Sequence, residues 1–177
     1  MTFLTVLLLL HSAALAGAPA NCPNLSGEYV IRGEDGHVDV TVKQSRCETV
    51  EIEWWIHPAG DESKTLHKLR LDGKPHSDME WFGDGKATQQ TSARFIGRTL
   101  QIVTLPEVPS VTRPIDFELL IEPMANGDLC HSSRDGHPRE KNDLRGGVMG
   151  RVKDSTKQAY ASALDRSEHD CKLSPRR

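Results

Sequence analysis

Apolar and polar residues alternate without a break along Val38-Asp39-Val40-Thr41-Val42-Lys43, and again along Val50-Glu51-Ile52-Glu53-Trp54. Successive side chains of a strand point to opposite faces, so each run predicts a strand with one buried and one wet face. Asp35-Gly36 separates Tyr29-Val30-Ile31 from the first run. That dipeptide suits a two-residue turn with positive φ, so the stretch from Gly27 to Ile56 is expected to open as a hairpin. Further strand signals follow at Lys68 to Leu71, running into Asp72-Gly73, and at Met79 to Phe82. Others lie at Gln90 to Ile96, at Leu100 to Thr104 after the tight Gly97-Arg98, and at Ile115 to Ile121. About eight short strands at even spacing predict a barrel or a sandwich.

His57 to Ser63 and Pro106 to Pro114 read as loops by composition. Gly127 to Gly150 is polar and rich in Ser, Arg, Asp, Gly and His, and reads as a long loop broken by a short strand at Asp128 to His131. Val148 to Val152 supplies a closing strand. Asp154-Ser155-Thr156 then caps a helix through about His169, with Tyr160, Ala163, Leu164 and Ser167 on one face. The expected fold is mainly β: an antiparallel meander closed into a single barrel (or sandwich), with a C-terminal helix. Its boundaries are a signal peptide over 1–20, a β-barrel domain over 21–153, and the helix and tail over 154–177.

The leader assignment rests on the apolar run Leu4 to Leu10, too short to span a bilayer, followed by small residues. No Lys or Arg precedes the run, and cleavage fits after Ala16 or after Ala20. Pro19-Ala20-Asn21 before Cys22 is not a lipobox, and no later stretch predicts a membrane span. Removal of residues 1–20 leaves 157 residues (177 − 20) with a net charge still at −3. One core fits that length, and the charge gives no basic face for nucleic acid.

Cys22, Cys47, Cys130 and Cys171 all lie in the mature part. An even count in an exported chain predicts disulfides, and hence a secreted or periplasmic location. Centring the hairpin on Asp35-Gly36 sets position 24 opposite position 47 and brings Cys22 close to Cys47, which leaves Cys130 for Cys171. Each bridge of this kind stabilises by roughly 2–4 kcal/mol. A cysteine zinc site lacks the C-x-x-C spacing it would need.

Trp54 and Trp55 point opposite ways on one strand, Trp54 inward with Val50 and Ile52, Trp55 outward with Glu51 and Glu53. Trp54 suits the lining of a ligand cup and Trp55 a contact surface, and both also suit simple packing. His131, Asp135 and His137 offer two imidazoles and a carboxylate for zinc or copper, but in a segment that reads as a solvated loop. His57 and His67 read as surface residues. Glu51 with Glu53, and Asp116 with Glu118, fall on wet outer faces, which does not favour acid–base chemistry. Asn24-Leu25-Ser26 is a glycosylation sequon. A nucleophile elbow, a phosphate loop and a His-Glu-x-x-His helix are all missing. The sequence therefore predicts no catalytic set, no metal site and no cofactor, and points away from an enzyme.

Gly27-Glu28-Tyr29 at the start of the first strand, the meander after it and the C-terminal helix together resemble the lipocalin-like, or calycin, barrels over most of residues 25–170. The resemblance places Tyr29 where that family has Trp, closing the barrel floor, and puts the family's cationic floor partner near Arg151. It implies an exported barrel holding a small apolar or amphipathic molecule in a cup lined by Tyr29, Ile31, Val40, Val42, Ile52, Trp54 and Phe117. The alternative expectation is a structural or interaction module with those side chains filling the core and a protein partner bound through Trp55. The strand register is testable directly. Val40→Asp buries an unpaired charge and is expected to unfold or aggregate the protein, whereas Thr41→Asp should leave the thermal midpoint near wild type. Equal midpoints would reverse the faces assigned here.

Overall fold

A computed structural model describes residues 22–33, 36–58, 63–82, 85–105, 117–135, 145–171 and 173. The proposed leader lies outside them. Ten strands follow one another: β1 (Gly27–Gly33), β2 (Gly36–Ser45), β3 (Thr49–Pro58), β4 (Ser63–Arg70), β5 (His76–Phe82), β6 (Gly85–Ile96), β7 (Thr99–Leu105), β8 (Phe117–Pro123), β9 (Leu129–Asp135) and β10 (Arg145–Arg151). Among the described residues one helix, α1 (Lys157–Arg166), comes last. All strand pairs are antiparallel, in the order β4-β3-β2-β1-β10-β9-β8-β7-β6-β5. The first and last strands thus pair in the middle of the sheet, and the two edges, β4 and β5, pack side by side. The result is an antiparallel meander nearly closed into a barrel.

The short strands expected at Asp128 to His131 and Val148 to Val152 are present as parts of β9 and β10, and both run further into the polar segment than expected. β9 and β10 occupy most of 127–150, and glycine does not interrupt β10 because the glycines are needed there. A Cβ on Gly150 would overlap the carbonyl oxygen of Ala163 in α1, and one on Gly146 would overlap that of Cys171. Both elements can lie on β10 only because those positions have no side chain. The stretch His57 to Ser63 is also less of a loop than expected, since β3 runs to Pro58 and β4 begins at Ser63. The expected loop Pro106 to Pro114 lies outside the described residues.

The first hairpin forms, but its ladder is centred one residue earlier than Asp35-Gly36, which moves each cross-strand partner by two. Gly36 is already in the ladder opposite Gly33, and Tyr29 pairs with Val40. A slip of two residues leaves every side chain on its original face, because the side-chain period of a strand is two. Val40 and Val42 therefore remain inside, and Cys47, continued along the observed register, falls opposite Cys22. Cys22–Cys47 and Cys130–Cys171 are the two disulfides.

The core is the inner face of the barrel. Leu25, Tyr29, Val40, Val42, Val50 and Ile52 meet Leu100, Ile102, Leu119, Ile121, Leu129 and Met149 there, all buried. Outside it, α1 lies over β1 and β10. Thr156 caps the helix, its hydroxyl accepting the Ala159 N–H, and the face carrying Ala163 and Ser167 is buried as the helical spacing predicts.

β1 and β10 share only two paired positions, Tyr29↔Arg151 and Val30↔Gly150. Buried Asp128, just before β9, reinforces that seam. It accepts the Arg151 N–H at 2.7 Å and pairs with the Arg166 guanidinium at 3.0 Å, which also donates to the Arg151 carbonyl at 2.8 Å. Arg151 in turn donates to the Ser26 carbonyl at 3.0 Å and lies 5.8 Å from the Tyr29 ring. The Tyr29 hydroxyl donates to the Leu25 carbonyl at 2.9 Å. Gly150→Ala should force α1 off this seam and cost about 1–3 kcal/mol or more, as overpacking does. Gly33→Ala, whose new Cβ would lie 3.6 Å from its nearest neighbour, should unfold near wild type. Chemical denaturation of the two variants checks this, and a Gly150→Ala protein as stable as Gly33→Ala would contradict it.

Candidate functional site

Two clusters of side chains stand out, on opposite faces of β2 and β3. The inner one contains six of the seven residues expected to line a cup. Tyr29, Val40, Val42 and Ile52 are fully buried, while Ile31 and Trp54, with Val38, are half-buried and pack against them. Tyr29 lies toward the end of β1 where Leu25 is buried beside it and the Cys22–Cys47 bridge joins the chain. Ile31, Val38 and Trp54 lie one step toward the other end, and Ile56 beyond them is exposed. Phe117, at the start of β8, is 37% exposed and is not part of the buried cluster.

The inner wall also carries polar groups. His131 is in β9, opposite Ile121 and Gly147, and not in a solvated loop. Among the described residues its buried Nε2 has no hydrogen-bond partner, and burial lowers its pKa. The side chain of Asp135 and all of His137 lie outside what is described, so the three residues cannot be assembled into one site. His67 is half-buried too, on the β4 position opposite Ile52, and is not a simple surface residue.

On the outer face the expected wet carboxylates are present at Glu51 and Glu53, paired with Lys68 at 3.3 Å and Lys64 at 2.9 Å. Glu118 departs from that reading. It is buried at 3% exposure, with Arg134 Nε 2.6 Å from one carboxylate oxygen and Gln101 Nε2 donating at 2.6 Å to the other. Two long side chains from neighbouring strands cover it, an effect that alternation alone does not register. Asp116 lies outside the described residues.

The second cluster is built from outward positions near the end of the β2–β3 ladder. His37 pairs with His57 and Asp39 with Trp55. The imidazoles of His37 and His57 stack with centroids 4.6 Å apart, and Trp55 stacks on the far side of His57 at 5.1 Å. Both imidazoles direct Nε2 at Asp39, at 3.0 Å from His57 and 3.9 Å from His37. Tyr160, from α1, sets its ring edge against His37 and donates a short hydrogen bond to Asp39 Oδ1. Trp55 remains 40% exposed, with Lys64 Nζ 6.0 Å from its ring. His57 is thus half-buried in a network and not an ordinary surface histidine. Alternation does place His37, Asp39 and His57 on outer faces. Only the β2–β3 register, which pairs residues either side of Arg46-Cys47-Glu48, brings them together.

Compared with known proteins, the chain matches no family model, no curated protein and no solved structure.

The chain has two tyrosines, and the structure raises the pKa of both. Burial does most of this at Tyr29, with Arg151 opposing it. At Tyr160 burial is joined by the hydrogen bond to, and the negative charge of, Asp39. A raised folded-state pKa contributes stability that is intact below the unfolded value near 10 and is lost as pH rises through the folded value. Ultraviolet titration of the native protein should therefore show little tyrosinate at pH 10, while the denatured chain titrates normally. Asp39→Asn should bring Tyr160 down toward the ordinary value. A native protein whose tyrosine titration is the same in wild type and Asp39→Asn would contradict the Tyr160–Asp39 contact.

Proposed function

We propose that this protein is an exported, lipocalin-like carrier that holds a small apolar or amphipathic molecule inside its barrel. The observation that supports the reading is the gradient along the inner wall. Tyr29, Val42 and Ile52 are sealed toward one end, whereas the large apolar side chains of Ile31, Val38 and Trp54 toward the other end stay only half-buried. A wall of this type, apolar and closed at one end, is how barrels hold one small ligand. The Tyr29–Arg151 contact agrees with the floor of that family. Two disulfides agree with an oxidising compartment outside the cytoplasm. Among the described residues no helix is long and apolar enough to cross a membrane.

The exposed Trp55 favours a second reading, in which the outer face of β2 and β3 binds a partner protein. Substitution of the two adjacent tryptophans separates the readings. An apolar probe such as anilinonaphthalene sulfonate should change the tryptophan fluorescence of the wild type and of Trp55→Phe, and most of that change should vanish in Trp54→Phe, with Trp81 supplying background. Retention of the full response in Trp54→Phe would remove the interior from consideration. If the outer face is the site, Trp55→Ala should weaken the complex by about 2 kcal/mol or more.

A further inference from the structure

We propose that His37, Asp39 and His57 form a binding site for a divalent transition-metal ion of the zinc class on the outer face of the barrel. This goes beyond the interior reading and does not depend on it. The three residues present one ligand atom each, two imidazole nitrogens and a carboxylate oxygen, all within 4.8 Å of one another. In a tetrahedral zinc site, bonds of about 2.0–2.2 Å put the ligand atoms roughly 3.3–3.5 Å apart. In the structure His57 Nε2 lies 3.0 Å from Asp39 Oδ2 and His37 Nε2 lies 3.9 Å from Oδ1, so an ion would draw His37 toward the Oδ2 side. Side-chain adjustments of about an ångström close the site without moving the backbone, which the ten-residue β2–β3 ladder holds in place.

The donor set is that of zinc, copper, nickel or cobalt, not of calcium or magnesium, which take oxygen alone. The stacked rings bring the polar edges of two imidazoles together over one carboxylate, the arrangement an ion among them would need. Tyr160 serves as the partner behind the ligand. Its hydroxyl holds Oδ1 of Asp39, which leaves Oδ2, the oxygen nearer His57, for the ion. Outer partners of this kind orient a ligating carboxylate. Three protein ligands leave a fourth position for water or a substrate atom. The His57 side chain is 23% exposed and that of His37 33%, so an ion can enter from solvent.

Isothermal titration of chelator-treated protein with zinc chloride tests the proposal. One equivalent should bind, and His37→Gln and His57→Gln should each abolish stoichiometric binding. Tyr160→Phe, which removes no ligand, should weaken it by about 10–100-fold. Histidine-ring NMR of the wild type reads the same residues without substitution: zinc should shift the signals of His37 and His57 and leave His76, which pairs with Asp72 alone, in place. Absence of stoichiometric uptake, retention of it in both His→Gln variants, or zinc-induced shifts confined to other histidines would each overturn the assignment.

Discussion

The barrel depends on a short seam that one buried acid braces from the β10 and α1 side. β1 and β10 share two paired positions, with one further backbone bond from Val152 N–H to the Glu28 carbonyl, which is a short ladder for the strands that close the barrel. Asp128 compensates by binding three things at once: the backbone of β10 through Arg151 N–H, the end of α1 through Arg166, and its own turn through Asn126. Removing one partner of a buried ion pair typically costs about 3–5 kcal/mol, because it strands the other charge away from water. The same seam positions Tyr29 under Arg151 and locks α1 over Gly150. Arg32 adds to the lock from β1, pairing with Asp165 and Glu168 of the helix end.

Both candidate sites follow from that closure. Docking of α1 brings Tyr160 across to Asp39, so the outer histidine cluster has its third side only when the helix is seated. The inner wall has its floor only when Tyr29 is packed beneath Arg151. β2 and β3 then separate the two sites by strand geometry. Val40 and Trp54 point into the barrel, while their immediate neighbours Asp39 and Trp55 point out of it. An event on one face is therefore one backbone bond away from the other.

Much of this was legible in the residues because parity survives error. The expected hairpin register was two residues off, yet Tyr29, Val40, Val42, Ile52 and Trp54 kept their faces, since only an odd slip would turn them over. The helix was legible from Thr156 and the spacing of Ala163 and Ser167. Of β10 only the second half was, through the closing strand expected at Val148 to Val152, whereas Arg145-Gly146-Gly147 resembles a loop until Cys171 is seen lying on it. Asp128 reads as the first residue of a short strand, and nothing local announces that Arg166, 38 residues away, will pair with it. The His37–Asp39–His57 cluster has the same character. Each residue is an unremarkable outer position, and the site exists only in the register of β2 on β3.

The carrier reading makes a demand on the protein as its own host produces it. Native mass spectrometry of such material should show the oxidised chain together with a second population heavier by one small molecule, released when the protein is denatured. A single population at the mass of the chain with its two disulfides, from protein that still takes up no apolar compound when offered one, would contradict it. The half-buried ring of Trp54 would then be part of a filled core, and the barrel would act through its outer face alone.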